Sequence, residues 1–214
     1  LAVVTRASTV PIRRPSPAAE AAEDARLVAA AEAGDRGAFD KLYRRHLDSV
    51  YARLTRVIGP APERDDLVQQ IFLDVYRAMR RFRGDASFAT YLHRIVVNVA
   101  YEHLERRRRG RGRNEPLEDR QLETLIAPGA SPEQRARERE ELRRVFALLD
   151  RLSPKRRAAF VLVAVECLPL EEAAALLGAN APAIKQRVLD ARRELAAALD
   201  RNVDHVNKTE RERQ

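Results

Sequence analysis

Between Asp65 and Arg113 the chain gathers side chains that can hydrogen-bond, stack and carry positive charge, all at helical spacing. Asp66, Gln69, Gln70, Asp74 and Arg77 fall on one side of a predicted helix and form a surface rich in hydrogen-bonding groups. On a second predicted helix, Tyr91, Arg94, Asn98 and Glu102 follow one another by threes and fours and so line up. That helix runs into Arg106, Arg107, Arg108 and Arg109, with Arg111 and Arg113 just beyond. Such a density of arginine is an electrostatic footprint for phosphate. A second basic face comes late in the chain, where Lys185, Gln186, Arg187, Arg192 and Arg193 share the exposed side of another predicted helix, with Asp190 among them.

Apolar periodicity supplies the elements that must hold these groups. Leu67, Val68, Ile71, Phe72, Val75 and Met79 form the buried face behind the glutamine pair, and Phe88, Leu92, Ile95, Val96 and Val99 the face behind Tyr91. Upstream, Asp24 is placed to cap a helix carrying Leu27, Val28 and Ala31, which Gly34-Asp35 interrupts. A longer helix follows with Phe39, Leu42, Tyr43, Leu47, Val50, Tyr51, Leu54 and Val57 inside, ended by Gly59-Pro60-Ala61-Pro62. Farther on, Leu142, Val145, Phe146, Leu149 and Leu152 mark one helix. Ser153-Pro154 supplies the cap and first-turn proline of the next, with Ala158, Val161, Leu162 and Val165 inside. Leu170 to Leu177 then stops at Gly178, and Pro182 opens a helix burying Ile184, Val188, Ala191 and Leu195. Short helix, glycine turn and basic helix make a helix-turn-helix, whose second helix fits the major groove of DNA.

The expected fold is therefore all-α: two small helical domains joined by a flexible linker, the second a helix-turn-helix domain. Residues 1–23, rich in Ala, Pro, Ser and Thr, form a disordered tail, residues 24–110 the first domain, and 135–203 the second. Residues 111–134 are an acidic, proline-punctuated spacer, and 204–214 a second tail.

Composition narrows the function. A formal net charge of +8 favours a polyanionic partner. The single Cys167, at the end of an apolar run, excludes a disulfide framework, fits a reducing cytoplasm and is expected to be packed. No apolar run is long enough to span a membrane, and no apolar signal core opens the chain. His46, His93, His103 and His205 cluster with neither Cys nor carboxylates at ligand spacing, and His46 and His93 are expected at helix surfaces or interfaces. With no phosphate loop or nucleophile elbow either, no metal, cofactor or catalytic site is expected.

Taken together the two halves resemble the extracytoplasmic-function (ECF) group of sigma factors of bacterial RNA polymerase, part of the sigma-70 family. The motifs are Gly34-Asp35 with Ala38-Phe39 and Leu42-Tyr43; Asp66-Leu67-Val68-Gln69-Gln70-Ile71-Phe72-Leu73; Phe88, Tyr91-Leu92, Ile95 and Asn98; and Leu152-Ser153-Pro154 with the helix pair from Glu172 to Arg192. The resemblance implies a promoter-specificity subunit with core RNA polymerase, promoter DNA and an anti-sigma factor as partners. It implies polymerase binding through Asp66, Gln69, Gln70 and Leu73. It also implies −10 element contacts from Phe82, Arg83, Tyr91, Arg94 and Asn98, phosphate contacts from Arg106 and Arg107, and −35 contacts from Lys185, Gln186, Arg187 and Arg192. Capturing an unstacked base needs a pocket beside cations that hold its phosphate.

This chain departs from the family pattern at several of these positions. Tyr91 stands where Trp is usual, Glu102 where Asp is common, and Glu105 where Arg is common. Pro182-Ala183 replaces a common Gly-Thr, which removes a hydroxyl, and Asp190 replaces a frequent Arg. A stand-alone helix-turn-helix regulator and a helical adaptor that binds no DNA are the alternatives that the sequence leaves.

Overall fold

The computed structural model describes residues 17–79, 86–110, 122, 123, 125, 126 and 129–211, and every regular element among them is helical. The chain divides into two compact units, Leu1–Arg139 and Glu140–Gln214.

In the first unit, α1 (Pro17–Glu32), α2 (Arg36–Ile58), α3 (Arg64–Met79) and α4 (Phe88–Arg108) pack around one core. Gly34 takes φ +99° and allows the sharp exit from α1. Asp35 then caps α2, its carboxylate accepting from the amides of Gly37 at 2.8 Å and Ala38 at 3.2 Å. Gly59, at φ +84°, closes α2 by donating its N–H to the Thr55 carbonyl. Tyr51 donates to Asp65 at 3.1 Å, which ties the middle of α2 to the first turn of α3. Ser87 caps α4 through the Thr90 amide. The core is fully dehydrated: Leu42, Leu54, Val57, Ile71, Val75, Val97 and Ala100 have no measurable exposure.

α1 starts at Pro17, within the stretch expected to be a disordered tail. Asp24 is not its cap. It lies mid-helix and buried, with its carboxylate 2.8 Å from Arg45 Nε and 3.0 Å from His46 Nε2 on α2. One hydrogen bond, to His46, and one ion pair, to Arg45, thus fix α1 against α2 at a point where α1 offers few large apolar groups. His46 also packs edge-on against Phe88, with ring centroids 5.2 Å apart. The expected spacer also differs from the structure where it is described. Leu122 is fully buried, and Glu123 pairs with Arg135 at 3.1 Å and Arg139 at 3.4 Å.

The next helix, α5 (Pro132–Leu149), opens with a capping box: the Ser131 hydroxyl accepts from the Gln134 amide, and the Gln134 side chain accepts from Ser131 N–H at 2.9 Å. Within the second unit its apolar stripe is Leu142, Phe146 and Leu149. α6 (Pro154–Phe160), capped by Ser153, runs on into one π-helical turn, Val161–Val165. Arg157 on α6 is buried at 1% exposure and forms an ion pair with Asp150. Cys167 follows the π-turn in a left-handed conformation, φ 56°, and is exposed rather than packed. The left-handed kink turns the thiol out of the apolar run that precedes it.

α7 (Leu170–Leu176) ends before Gly178, whose φ of +57° is the left-handed stop expected there. Asn180 caps α8 (Ala181–Arg211), its side-chain oxygen accepting from the Ala183 amide at 2.9 Å. Ile184, Val188 and Ala191 are buried against the unit's core, whereas Leu195 is only half-buried. α8 continues as helix to Arg211, through the stretch expected as a tail.

Candidate nucleic-acid interface

All six apolar residues read as the inner face of α3 are buried, so the opposite side of the helix is held outward by packing. Asp66, Gln69 and Arg77 are exposed there, and Gln70 and Asp74 are half-buried. Leu73 sits among them at 52% exposure. Tyr76, which the sequence did not single out, lies beside it at 51%, its ring edge-on to Phe39 at 5.0 Å. The signal for Tyr76 was available: it falls off the apolar stripe of α3. The result is a mixed strip, with acids at its start and two large apolar groups farther along.

On α4, Arg94, Asn98 and Glu102 are exposed and Tyr91 is half-buried, so all four emerge along one side as their spacing predicted. Burial, and then the carboxylate of Asp74 on α3, push the Tyr91 hydroxyl above its ordinary pKa. The phenol therefore stays neutral through the physiological range and presents an uncharged ring. Toward the end of α4, Glu105 accepts from the Tyr101 hydroxyl at 3.2 Å and pairs with Arg109 at 3.3 Å. Tyr101, Glu102, Glu105, Arg106 and Arg109 together line a shallow surface pocket. Arg106 is exposed and Arg107 half-buried. Glu105 thus draws off one cation of the arginine run. Phe82, Arg83, Arg111 and Arg113 lie outside the described residues.

His93 and His103 are both buried on the inner side of α4, at 5% and 7% exposure, so of the two places expected for His93, a helix surface or an interface, the surface is excluded. A helix residue two positions from Tyr91 falls on the opposite face, which is where the core lies. Among the described residues no group of three or more His, Cys, Asp or Glu could hold a metal. No helix among them is long and apolar enough to cross a membrane.

In the second unit, Lys185, Gln186 and Arg192 are exposed on α8 and Arg187 is half-buried. Asp190 sits between them and is heavily engaged. It accepts from the Gln186 side-chain amide at 2.8 Å and lies 3.7 Å from Arg156 of α6 and 3.9 Å from Arg193. Arg156 reaches Glu194 as well, at 3.1 Å.

Two helical modules in this order match two family models: Sigma-70 region 2 over residues 42–110 and Sigma-70, region 4 over residues 142–195. The chain belongs to the ECF group of the sigma-70 family. It is 38% identical over 186 residues to the ECF RNA polymerase sigma factor SigM of Mycobacterium tuberculosis, which spans 82% of this chain and 84% of that one. It is 33% identical to the ECF RNA polymerase sigma-E factor of Escherichia coli, over 78% of this chain and 88% of the relative. Among solved structures, CnrH in complex with the cytosolic domain of CnrY matches with a TM-score of 0.56 and 30% identity, covering 83% of this chain and 97% of CnrH. The sigma factor RpoE of Bartonella quintana, in complex with the anti-sigma factor NepR, shares the fold at a TM-score of 0.51 and 22% identity, over 76% of this chain and 96% of that one. As an ECF sigma factor, the protein directs RNA polymerase to promoters; it is a transcription initiation factor and not an enzyme.

Proposed function

We propose that the two units divide promoter recognition between them, the first docking on core polymerase and holding the −10 element, the second reading the −35 element. On this reading Asp66, Gln69, Gln70 and Leu73 of α3 face the polymerase. Phosphate would be repelled by the acids Asp65, Asp66 and Asp74 on that helix, whereas a protein partner can use both its amides and the exposed Leu73. Tyr91, Arg94 and Asn98 of α4 take the −10 strand together with Phe82 and Arg83, and Arg106 and Arg107 hold its phosphates. Lys185, Gln186, Arg187 and Arg192 of α8 face the −35 duplex. The acidic linker, residues 111–134, threads the polymerase's RNA path. The protein works in the cytoplasm, where a soluble anti-sigma domain covers it. CnrH bound to a cytosolic domain and RpoE bound to NepR support that partner class.

The single observation that carries the division is the presence, in one chain, of an exposed strip of acids, amides and Leu73 on α3 and a basic second helix in a helix-turn-helix. One such helix-turn-helix buries only about 600–1,000 Å² on DNA, so the free chain should bind promoters poorly. Run-off transcription with purified core polymerase tests this, and the expected result is promoter-specific transcript only when both are present. A sequence-specific footprint by the isolated protein at nanomolar concentration in near-physiological salt would instead make it an independent regulator.

Docking has its own test. Asp66→Arg combined with Gln69→Ala should weaken assembly with core polymerase, since each lost hydrogen bond to a charged group costs about 1.5–3 kcal/mol. Both side chains are exposed, so the melting profile should move only by the roughly 0.3–1 kcal/mol that a lost acid in the first turn of α3 costs. Unchanged polymerase affinity would remove α3 from the interface.

A further inference from the structure

The Gln186–Asp190 hydrogen bond constrains what Gln186 can offer to DNA. A carboxylate only accepts, so the nitrogen end of the amide must be the end that faces Asp190, at 2.8 Å. Asp190 is itself steadied from two sides, by Arg156 on α6 and by Arg193 on α8. Gln186 remains exposed beyond this bond. With one amide proton committed, it has one N–H and its carbonyl oxygen left. In the major groove adenine presents an acceptor, N7, beside a donor, the N6 amino group. Guanine presents two acceptors, N7 and O6, so its O6 would confront the glutamine oxygen.

We propose that Asp190 is a positioning residue that orients the Gln186 amide so that it selects adenine over guanine at one base pair of the −35 element. The inference rests on the assignment of α8 to that element. It also gives a role to an acid standing where the family frequently has Arg: the acid contacts no base, and it fixes which end of the glutamine does.

Asp190→Asn separates orientation from the rest. An asparagine of the same shape can donate to the Gln186 oxygen, so the amide can turn and offer both of its N–H groups to guanine. The experiment is a selection over a randomised −35 element with reconstituted holoenzyme carrying the wild-type chain, Gln186→Ala, Asp190→Asn or both. The wild type should favour adenine over guanine at one position by about 10-fold or more, the scale of a single bidentate base contact. Gln186→Ala should erase the preference at that position alone. Asp190→Asn should bring adenine and guanine close to equal there while the other positions keep their preferences. In the Gln186→Ala background it should change nothing further at that position.

Asp190→Asn also releases Arg156, but a cation returned to the surface strengthens or weakens all sequences alike. A uniform change of affinity with the adenine preference intact would therefore mean that Asp190 is merely structural, and the proposal would fall. It would fall equally if Gln186→Ala erased a preference that Asp190→Asn left whole. If Gln186→Ala altered no −35 position, both the proposal and the placing of Gln186 on the −35 element would be lost.

Discussion

Asp150→Ala should destabilise the second unit by about 3 kcal/mol, the lower end of the range for breaking a buried ion pair. The substitution removes a side chain that is itself 37% exposed, so surface position alone would suggest a mild effect. The cost lies with its partner. The Arg157 side chain is 2% exposed, and a guanidinium cannot shed its proton at any pH the protein survives. Losing Asp150 leaves that charge without its carboxylate in a place water hardly reaches. Because water has some access at the Asp150 end, the loss stays toward the lower end of the range. For a unit of this size each kcal/mol lowers the melting temperature by about 4–8 °C, so the transition should fall by about 12–24 °C. Adding Arg157→Met to Asp150→Ala should recover most of the loss, since a buried pair replaced by apolar groups of similar volume is often neutral. Thermal melts of the full chain by circular dichroism measure both. A double variant no more stable than Asp150→Ala alone would show that Arg157 is needed for its packing and other bonds rather than burdened by its charge.

The sequence conveyed each element in proportion to how local its cause is. α3 was legible residue by residue, because a six-membered apolar stripe leaves one rotational setting against a core. The stop at Gly178 was legible for a similar reason: a left-handed residue after a short helix is a local demand that glycine meets best. What depends on distant partners was not legible. An Asp ahead of an apolar-periodic run looks like a cap, and only the arrival of Arg45 and His46 from α2 makes Asp24 a mid-helix anchor. α1 extends back to Pro17 without an apolar period, through alanines and glutamates that favour helix by themselves behind a first-turn proline. Leu122 and Glu123 were hidden in the same way, inside a segment whose prolines and acids dominate its pattern. Cys167 misled for a different reason: the apolar run before it predicts burial, and the backbone reverses at that one residue. On the candidate interface, spacing placed the outward side chains of α3, α4 and α8 correctly but said little about which were already engaged. Gln186 and Asp190 are an i, i+4 pair of a kind that could have been named in advance. The link from Asp190 to Arg156, 34 positions away along the chain, could not.

Holoenzyme carrying Tyr91→Ala should form open complexes about 10-fold less well than wild type or worse, given about 1–3 kcal/mol for the loss of one base–aromatic stack. Tyr91 is half-buried, so part of its ring is covered by the protein and part is open. Its hydroxyl is held neutral by burial and by Asp74, so it adds no negative charge where a DNA strand would lie. If stacking is what matters, Tyr91→Phe should open promoters nearly as well as wild type, because the ring survives. Asn98, exposed two turns along the same side of α4, should act differently, through hydrogen bonds to the edge of the base. Asn98→Ala should therefore change which base is preferred in the −10 element and leave the −35 preference alone. On the proposed reading both positions act on a base that must first leave the duplex, at an expense of a few kcal/mol in lost stacking and pairing. A template mismatched across the −10 element has already met that expense, and it should partly rescue opening by Asn98→Ala and Tyr91→Ala. The same template should do nothing for Gln186→Ala, whose proposed target is intact duplex. Permanganate reactivity of unpaired thymines, followed in time on matched and mismatched templates, gives all of these comparisons. A Tyr91→Phe defect as large as that of Tyr91→Ala would rule out stacking as the ring's contribution. Failure of the mismatched template to help either variant would mean that α4 acts before melting, on the double helix.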